Sequence, residues 1–132
     1  MSRQRKPASK RPRAKEAREM LRLALVEEDL AKLRELRRHY LDASESWVVR
    51  WSIKSYADWL VERRKRKRLP APPDQPWEEF GDRERWMQKG YLMFRGDFEN
   101  IETLMRLTGY RAQAQAVRAA IDWKFRRVKD EE

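Results

Sequence analysis

Between residues 13 and 41 the chain has no glycine or proline, and Met20, Leu23, Leu30, Leu33, Leu36 and Tyr40 recur at intervals near three, four and seven. That is the repeat of one helical face, so the spacing predicts a long amphipathic helix over 13–41. The acidic run Glu27-Glu28-Asp29 is the place where it can break. Fewer than four clean heptads favours packing on the rest of the domain over a coiled-coil seam. His39 then falls in the polar last turn, where a cation suits the helix dipole better than it suits chemistry.

Asp42 and Glu45 have capping-box spacing and open the next segment. Two patterns compete there. VRWSIK, within 48–54, alternates like a strand, after which Ser55 and Asp58 are placed to cap a shorter helix. Trp47, Trp51 and Ser55 or Trp59 recur at spacing four, which favours helix throughout. Residues 70–76, PAPPDQP, cannot be crossed by a helix and predict a stiff extended connector. After it, Asp74 or Gln75 can cap a short helix in WEEFGDRERWMQK, with Phe80, Trp86 and Met87 to bury.

Beyond Gly90, the run Leu92-Met93-Phe94-Arg95 is β-compatible and Asp97 is a good N-cap. Phe98, Ile101, Leu104 and Met105 line one face of a first helix, and Gly109 fits a left-handed C-cap. Val117, Ala120, Ile121 and Phe125 set the inner face of a second. The expected fold class is mainly α, with long N-terminal helices and a C-terminal strand-helix-helix module. An all-α bundle is the alternative, in which residues 92–95 continue the preceding helix. The organisation follows as a basic arm over 1–12, a helical region over 13–69, the connector, and a C-terminal module over 77–132.

Charge narrows the function. The chain of 132 residues is one domain's worth, with 32 Lys and Arg against 22 Asp and Glu, net +10. Residues 1–15 hold seven basic groups and no acid, and RRKRKR at 63–68 holds six more, so the remainder is net acidic. Clustered cations displace condensed counterions from a phosphate polymer, which makes nucleic acid the first partner to expect and Arg11, Arg13, Arg63, Arg64, Lys65, Arg66, Lys67 and Arg68 its backbone contacts. Solvated tails, localisation signals or an anionic membrane would use the same charge pattern. The polar, like-charged, Pro-containing arm is expected to be disordered.

Other classes fall away. The chain has no cysteine and one histidine, which excludes disulfides, thiolate zinc sites and multi-histidine metal sites. Glu27-Glu28, Glu78-Glu79 and Glu99 with Glu102 read as solvated helix surface, and glycines at 81, 90, 96 and 109 make no phosphate loop. A non-enzyme without cofactor or metal is expected. With no apolar run near the roughly 18 residues of a membrane span and no secretory signal, the expected location is cytoplasmic, away from membranes. The helical spacing of most of the six tryptophans assigns them to core or interface ahead of base stacking.

Residues 91–127 resemble the ribbon-helix-helix DNA-binding family, especially the antitoxins that partner PIN-domain ribonucleases. The resemblance is carried by the short strand ending in Asp97, the interval to Leu107-Thr108-Gly109, and AVRAAI at 116–121. It implies that two chains pair their strands into a ribbon that enters the major groove. A lone five-residue strand also needs a partner for its backbone groups, so a homodimer is expected. With Leu92, Phe94 and Gly96 packed inward, Tyr91, Met93 and Arg95 would face bases beside Lys89, Arg95 being suited to guanine. The resemblance also places a phosphate on the second helix's N-terminus, near Arg111.

The first functional expectation is therefore a dimeric, sequence-specific DNA-binding protein of repressor, partition or DNA-processing accessory type, with DNA favoured over RNA. The second is a helical, non-catalytic subunit of a nucleoprotein or ribonucleoprotein complex that holds the backbone without reading bases. In either case residues 13–69 could bind a protein partner.

Overall fold

The structure, a computed structural model, describes residues 18–66 and 86–131. The fold is mainly α. In chain order it has β1 (Glu19–Leu25), α1 (Glu27–His39), α2 (Glu45–Lys65), β2 (Met87–Met93), α3 (Arg95–Thr108) and α4 (Gln113–Glu131). The two strands form one antiparallel pair running from Glu19 opposite Met93 to Leu25 opposite Met87.

Strand, helix, helix therefore occurs twice. The strands start at 19 and 87, the first helices at 27 and 95 and the second helices at 45 and 113, each pair 68 positions apart. Residues 22 and 90, also 68 apart, are opposite each other in the ladder. An antiparallel pair whose central partners are also repeat equivalents has a local two-fold axis through that pair, here Arg22 and Gly90. The turns obey the same offset: Leu41 (φ 58°) and Gly109 (φ 87°) both take the left-handed conformation between the two helices of their half. Asp29 and Asp97, Leu36 and Leu104, Val49-Arg50 and Val117-Arg118, and Ile53 and Ile121 are identical across it.

The strand expected to need a second chain for its backbone groups pairs instead with β1 of its own chain, and the two strand regions are corrected as well. In place of the helix expected over 13–41, the described part, from residue 18, is a strand followed by a helix, because Leu21, Leu23 and Leu25 alternate with Arg22 and Ala24 and bury as one row. The strand at 92–95 ends earlier, at Met93, and helix begins at Arg95. Phe94 is the N-cap and donates its backbone N–H to Asp97 Oδ2 at 2.8 Å. The first half repeats this junction, with Val26 N–H donating to Asp29 Oδ2 at 3.0 Å.

Elsewhere the expected elements stand. Residues 45–65 are helical throughout, capped by Ser44, whose Oγ accepts from Trp47 N–H at 3.1 Å, in place of the Asp42 box. Gly109 closes α3 and donates its N–H to Met105 at 2.9 Å. Helix α1 begins with Glu27, Glu28 and Asp29 and ends with Arg37, Arg38 and His39, matching the helix dipole at both ends.

Both halves share one core. Leu33, Leu36, Val48, Val49 and Ile53 from the first half pack in one cluster with Met93, Ile101, Leu104, Val117 and Ile121 from the second. Truncating a buried aliphatic of this kind costs about 2–5 kcal/mol, so neither half is expected to retain its packing alone. The arm, with Arg11 and Arg13, the residues Lys67 and Arg68, the 70–76 connector and residues 77–85, with Trp77, lie outside the described residues. The end of the short helix expected after the connector is corrected: Met87, Gln88 and Lys89 belong to β2, where Met87 is 46% exposed, while Trp86 packs on the core.

Candidate nucleic-acid interface

One face of the ribbon covers the core and the other faces outward. Leu21, Leu23, Leu25, Tyr91 and Met93 are buried, which leaves Met20, Arg22, Ala24, Gln88, Gly90 and Leu92 on the outer side. Three cross-strand pairs form that face: Met20 with Leu92, Arg22 with Gly90, and Ala24 with Gln88. Arg22 is exposed and forms no ion pair among the described residues. A Cβ at Gly90 would lie 3.0 Å from Met20 Sδ, so glycine lets the Met20 side chain lie across the middle of the ribbon.

The ribbon ends differ in charge. Where Glu19 meets Met93, the guanidinium groups of Arg18 and Arg50 lie over the Phe94 ring at 5.7 and 5.1 Å, and exposed Arg95 opens α3. At the other end, where Leu25 meets Met87, α1 opens with exposed Glu27 and Glu28.

The base-reading set inferred from strand parity is corrected. Tyr91 and Met93 are 2% and 0% exposed and belong to the core. Lys89 shares their face, half-buried, with its ammonium 3.4 Å from Glu45. The physical reason is the earlier helix start: with Phe94 capping α3, Gly96 is helical and Leu92 turns outward. Arg95 lies just past the ribbon on the first turn of α3. Arg111 is exposed before α4, but its N–H and that of Ala112 donate to Gln115 Oε1 at 3.2 and 3.3 Å, so these two groups are not free for phosphate. Arg22 and Gln88, which parity around Tyr91 passed over, occupy the outer face. The period-two run Leu21, Leu23, Leu25 is the signal that points to them.

Helix α2 ties the ribbon to the core. Ser46 Oγ accepts from Leu92 N–H at 3.3 Å, Arg50 donates to the Leu92 carbonyl at 3.2 Å, and Tyr91 Oη donates to Glu45 at 2.9 Å. Burial, then the Glu45 contact, pushes the Tyr91 phenol far above its ordinary range. Beside Arg50, a shallow depression is lined by Trp47, Trp51, Lys54 and Asp97. Trp47 and Trp51 stack at 6.1 Å with 38% and 36% exposure, so they keep contact with solvent, whereas Trp59, Trp86 and Trp123 pack on the core.

The basic run lies elsewhere. Twenty-one residues of α2 span about 30 Å, so Arg63, Arg64, Lys65 and Arg66 sit at the far end of the helix whose start touches the ribbon. There Arg63 and Arg127 flank Trp59 at 4.6 and 5.7 Å, and Trp59 packs against Trp123. The residues inferred for base contact and for phosphate contact are thus on separate regions of the molecule. Among the described residues no cluster of His, Cys, Asp or Glu could hold a metal, and no helix is long and apolar enough to cross a membrane.

Comparison with protein-family models, with curated proteins and with solved structures finds no match to this chain.

Proposed function

We propose that this protein binds duplex DNA by placing the outer face of its ribbon in the major groove, as a ribbon-helix-helix protein whose two halves lie in one chain. The observation that carries the reading is exposed Arg22, without an ion pair among the described residues, at the local two-fold axis of a two-stranded antiparallel ribbon. The major groove admits a two-stranded ribbon, and a guanidinium at its centre can grip guanine O6 and N7 together. Gln88 on the same face can make the corresponding bidentate contact to adenine. Arg18 and Arg95 flank the ribbon in sequence and, with Arg111 ahead of α4, supply phosphate contacts, and the clusters at 1–15 and 63–68 add to the electrostatic attraction. The biological role is that of a repressor, a partition factor or an accessory to DNA processing.

The test is selection from a random duplex library by the full-length protein near 150 mM salt, where bare phosphate attraction is weakened. A recovered motif whose affinity drops by about 1–3 kcal/mol in Arg22→Ala, with preference lost at one base, supports groove reading. Recovery without any motif sinks it. That outcome would favour the second reading, a subunit holding the nucleic-acid backbone, for which the Arg63, Arg127 and Trp59 cluster is the supporting observation.

A further inference from the structure

We infer that one chain recognises one asymmetric DNA site, bound in a single orientation. This rests on the groove-reading function and specifies its target. In a homodimeric ribbon every outward residue appears twice, related by an exact two-fold axis, and its preferred site is an inverted repeat. Here both strands come from one chain, and the residues that the local axis relates are all different. Met20 corresponds to Gln88, Arg22 to Gly90, and Ala24 to Leu92. The fold keeps the symmetry while the reading surface discards it.

The order of groups along the ribbon is fixed by the register. Met20 and Leu92 form an apolar pair at one end, Arg22 stands alone at the centre, and Gln88 with Ala24 occupies the other end. Apolar side chains suit the thymine methyl, arginine suits guanine and glutamine suits adenine. The site specified is a central guanine with adenine toward the Gln88 side and thymine methyls toward the Met20 side.

The flanks set the same direction. Among the described residues the Met20 end carries Arg18, Arg95 and Arg50, the last 3.9 Å from Asp97, against exposed Glu19, whereas the Gln88 end carries Glu28 and Glu27, the latter paired with Arg34 at 2.7 Å. The first draws the duplex backbone in and the second repels it, so the two orientations on a given site differ in phosphate contacts as well as base contacts. The basic segment 1–15 also joins the chain just ahead of Arg18.

The experiment combines motif selection with the mass of the complex and one variant pair. The full-length protein is selected on random duplex near 150 mM salt, and the complex on the enriched duplex is weighed by native mass spectrometry. The expected result is a motif without internal two-fold symmetry and one chain per site. Gln88→Ala is expected to lower preference at one flanking base by roughly 5- to 100-fold without affecting the opposite flank. Met20→Gln combined with Leu92→Ala gives both halves the same outward residues at two of three positions, and its selected motif is expected to move toward an inverted repeat. These side chains are on the outer face, and circular dichroism of each variant checks that it is folded.

An inverted repeat bound by two chains of the unaltered protein overturns the asymmetric site while leaving groove reading in place. An asymmetric motif that Gln88→Ala and the symmetrised variant both leave unchanged overturns the ribbon as the source of the asymmetry. Absence of any enriched motif overturns groove reading itself, and the inference falls with it.

Discussion

Arg118 Nε stands 2.8 Å from Asp29 Oδ2, the same oxygen that accepts the Val26 N–H at the junction of β1 and α1. Both side chains are almost wholly buried, at 3% and 6% exposure, and they join the last helix to the first strand-helix turn. Burial lowers the Arg118 pKa, and Asp29 pulls it back up. The equivalent pair in the other sense, Arg50 and Asp97, is looser at 3.9 Å, with Arg50 24% exposed and donating to the Leu92 carbonyl. Each half's second helix thus supplies an arginine to the other half's capping aspartate. That crossed arrangement follows from the local two-fold axis.

The two pairs differ in what their loss would leave behind. Asp29→Ala takes from the buried Arg118 its carboxylate at 2.8 Å and from Val26 N–H its cap, and breaking such a buried pair costs about 3–5 kcal/mol. Asp97→Ala removes a cap on the Phe94 N–H, while Arg50 keeps its carbonyl partner and some water, so a loss of about 1–2 kcal/mol is expected. Urea unfolding of both variants measures the difference. Equal losses would show that burial of the first pair carries no extra weight.

Leu41 and Gly109 hold equivalent left-handed positions, but only one is glycine. For an L-residue that conformation costs about 1–2 kcal/mol, part of which glycine's extra chain entropy offsets. Leu41 is 91% exposed, so its side chain contributes little packing. Leu41→Gly is therefore expected to stabilise by about 0.5–1 kcal/mol and raise Tm by about 2–5 °C. Gly109→Ala is expected to lose about 1 kcal/mol through φ alone, since nothing lies within 4 Å of the added Cβ. A lower Tm for Leu41→Gly would mean that the leucine side chain is needed at the turn.

How much of this was visible in the sequence depends on how local each signal is. Gly109, the helical face of Ile101 and Leu104 and that of Val117 and Ile121 are read within a few residues, and all stand. Segment 19–25 reads as helix because Glu, Met, Leu, Arg and Ala are all good helix formers, while its strand state depends on a partner that arrives 68 residues later. The alternation of Leu21, Leu23 and Leu25 is the local signal for strand. The parity of β2 is a separate matter: packing Leu92, Phe94 and Gly96 inward puts Tyr91 and Met93 outside, and the start of α3 at Arg95 reverses it, while Arg22 becomes an outward ribbon residue only once 19–25 is a strand. The repeat itself is faint, because the identities are spread between surface residues that differ.

Alkaline pH probes the ribbon's attachment. Buried Tyr91 and Tyr56 both have phenols raised above the ordinary value, Tyr91 by burial and Glu45, Tyr56 by burial and Asp122. A group whose pKa is raised on folding adds stability below its unfolded pKa, near 10, and loses it as pH rises toward the folded value. Stability is therefore expected to fall above about pH 10, by up to about 1.4 kcal/mol per pH unit for each tyrosine. Tyr91→Phe costs its hydrogen bond at neutral pH but has a shallower alkaline slope. Denaturation midpoints between about pH 8 and 11 measure this, and parallel slopes for the two proteins would rule out Tyr91 as a source.

Separation of the ribbon from the basic run makes their contributions to binding distinguishable. A duplex seated on Arg22 and Gln88 lies about 30 Å, the length of α2, from Arg63, Arg64, Lys65 and Arg66. Changing those four to glutamine leaves the base-facing surface intact, so the selected motif is expected to be unchanged. On a duplex only as long as the ribbon, affinity is expected to fall less than in Arg22→Ala, because remote charges act through a Debye length of about 8 Å at physiological salt. On a long duplex the four-residue variant is expected to weaken all sequences alike and to flatten the dependence of binding on salt. Fluorescence anisotropy with short and long duplexes at several salt concentrations separates these effects. If the variant changes base preference while Arg22→Ala does not, the reading surface lies at the far end of α2, beside Trp59 and Arg127, and the ribbon serves only to join the two halves.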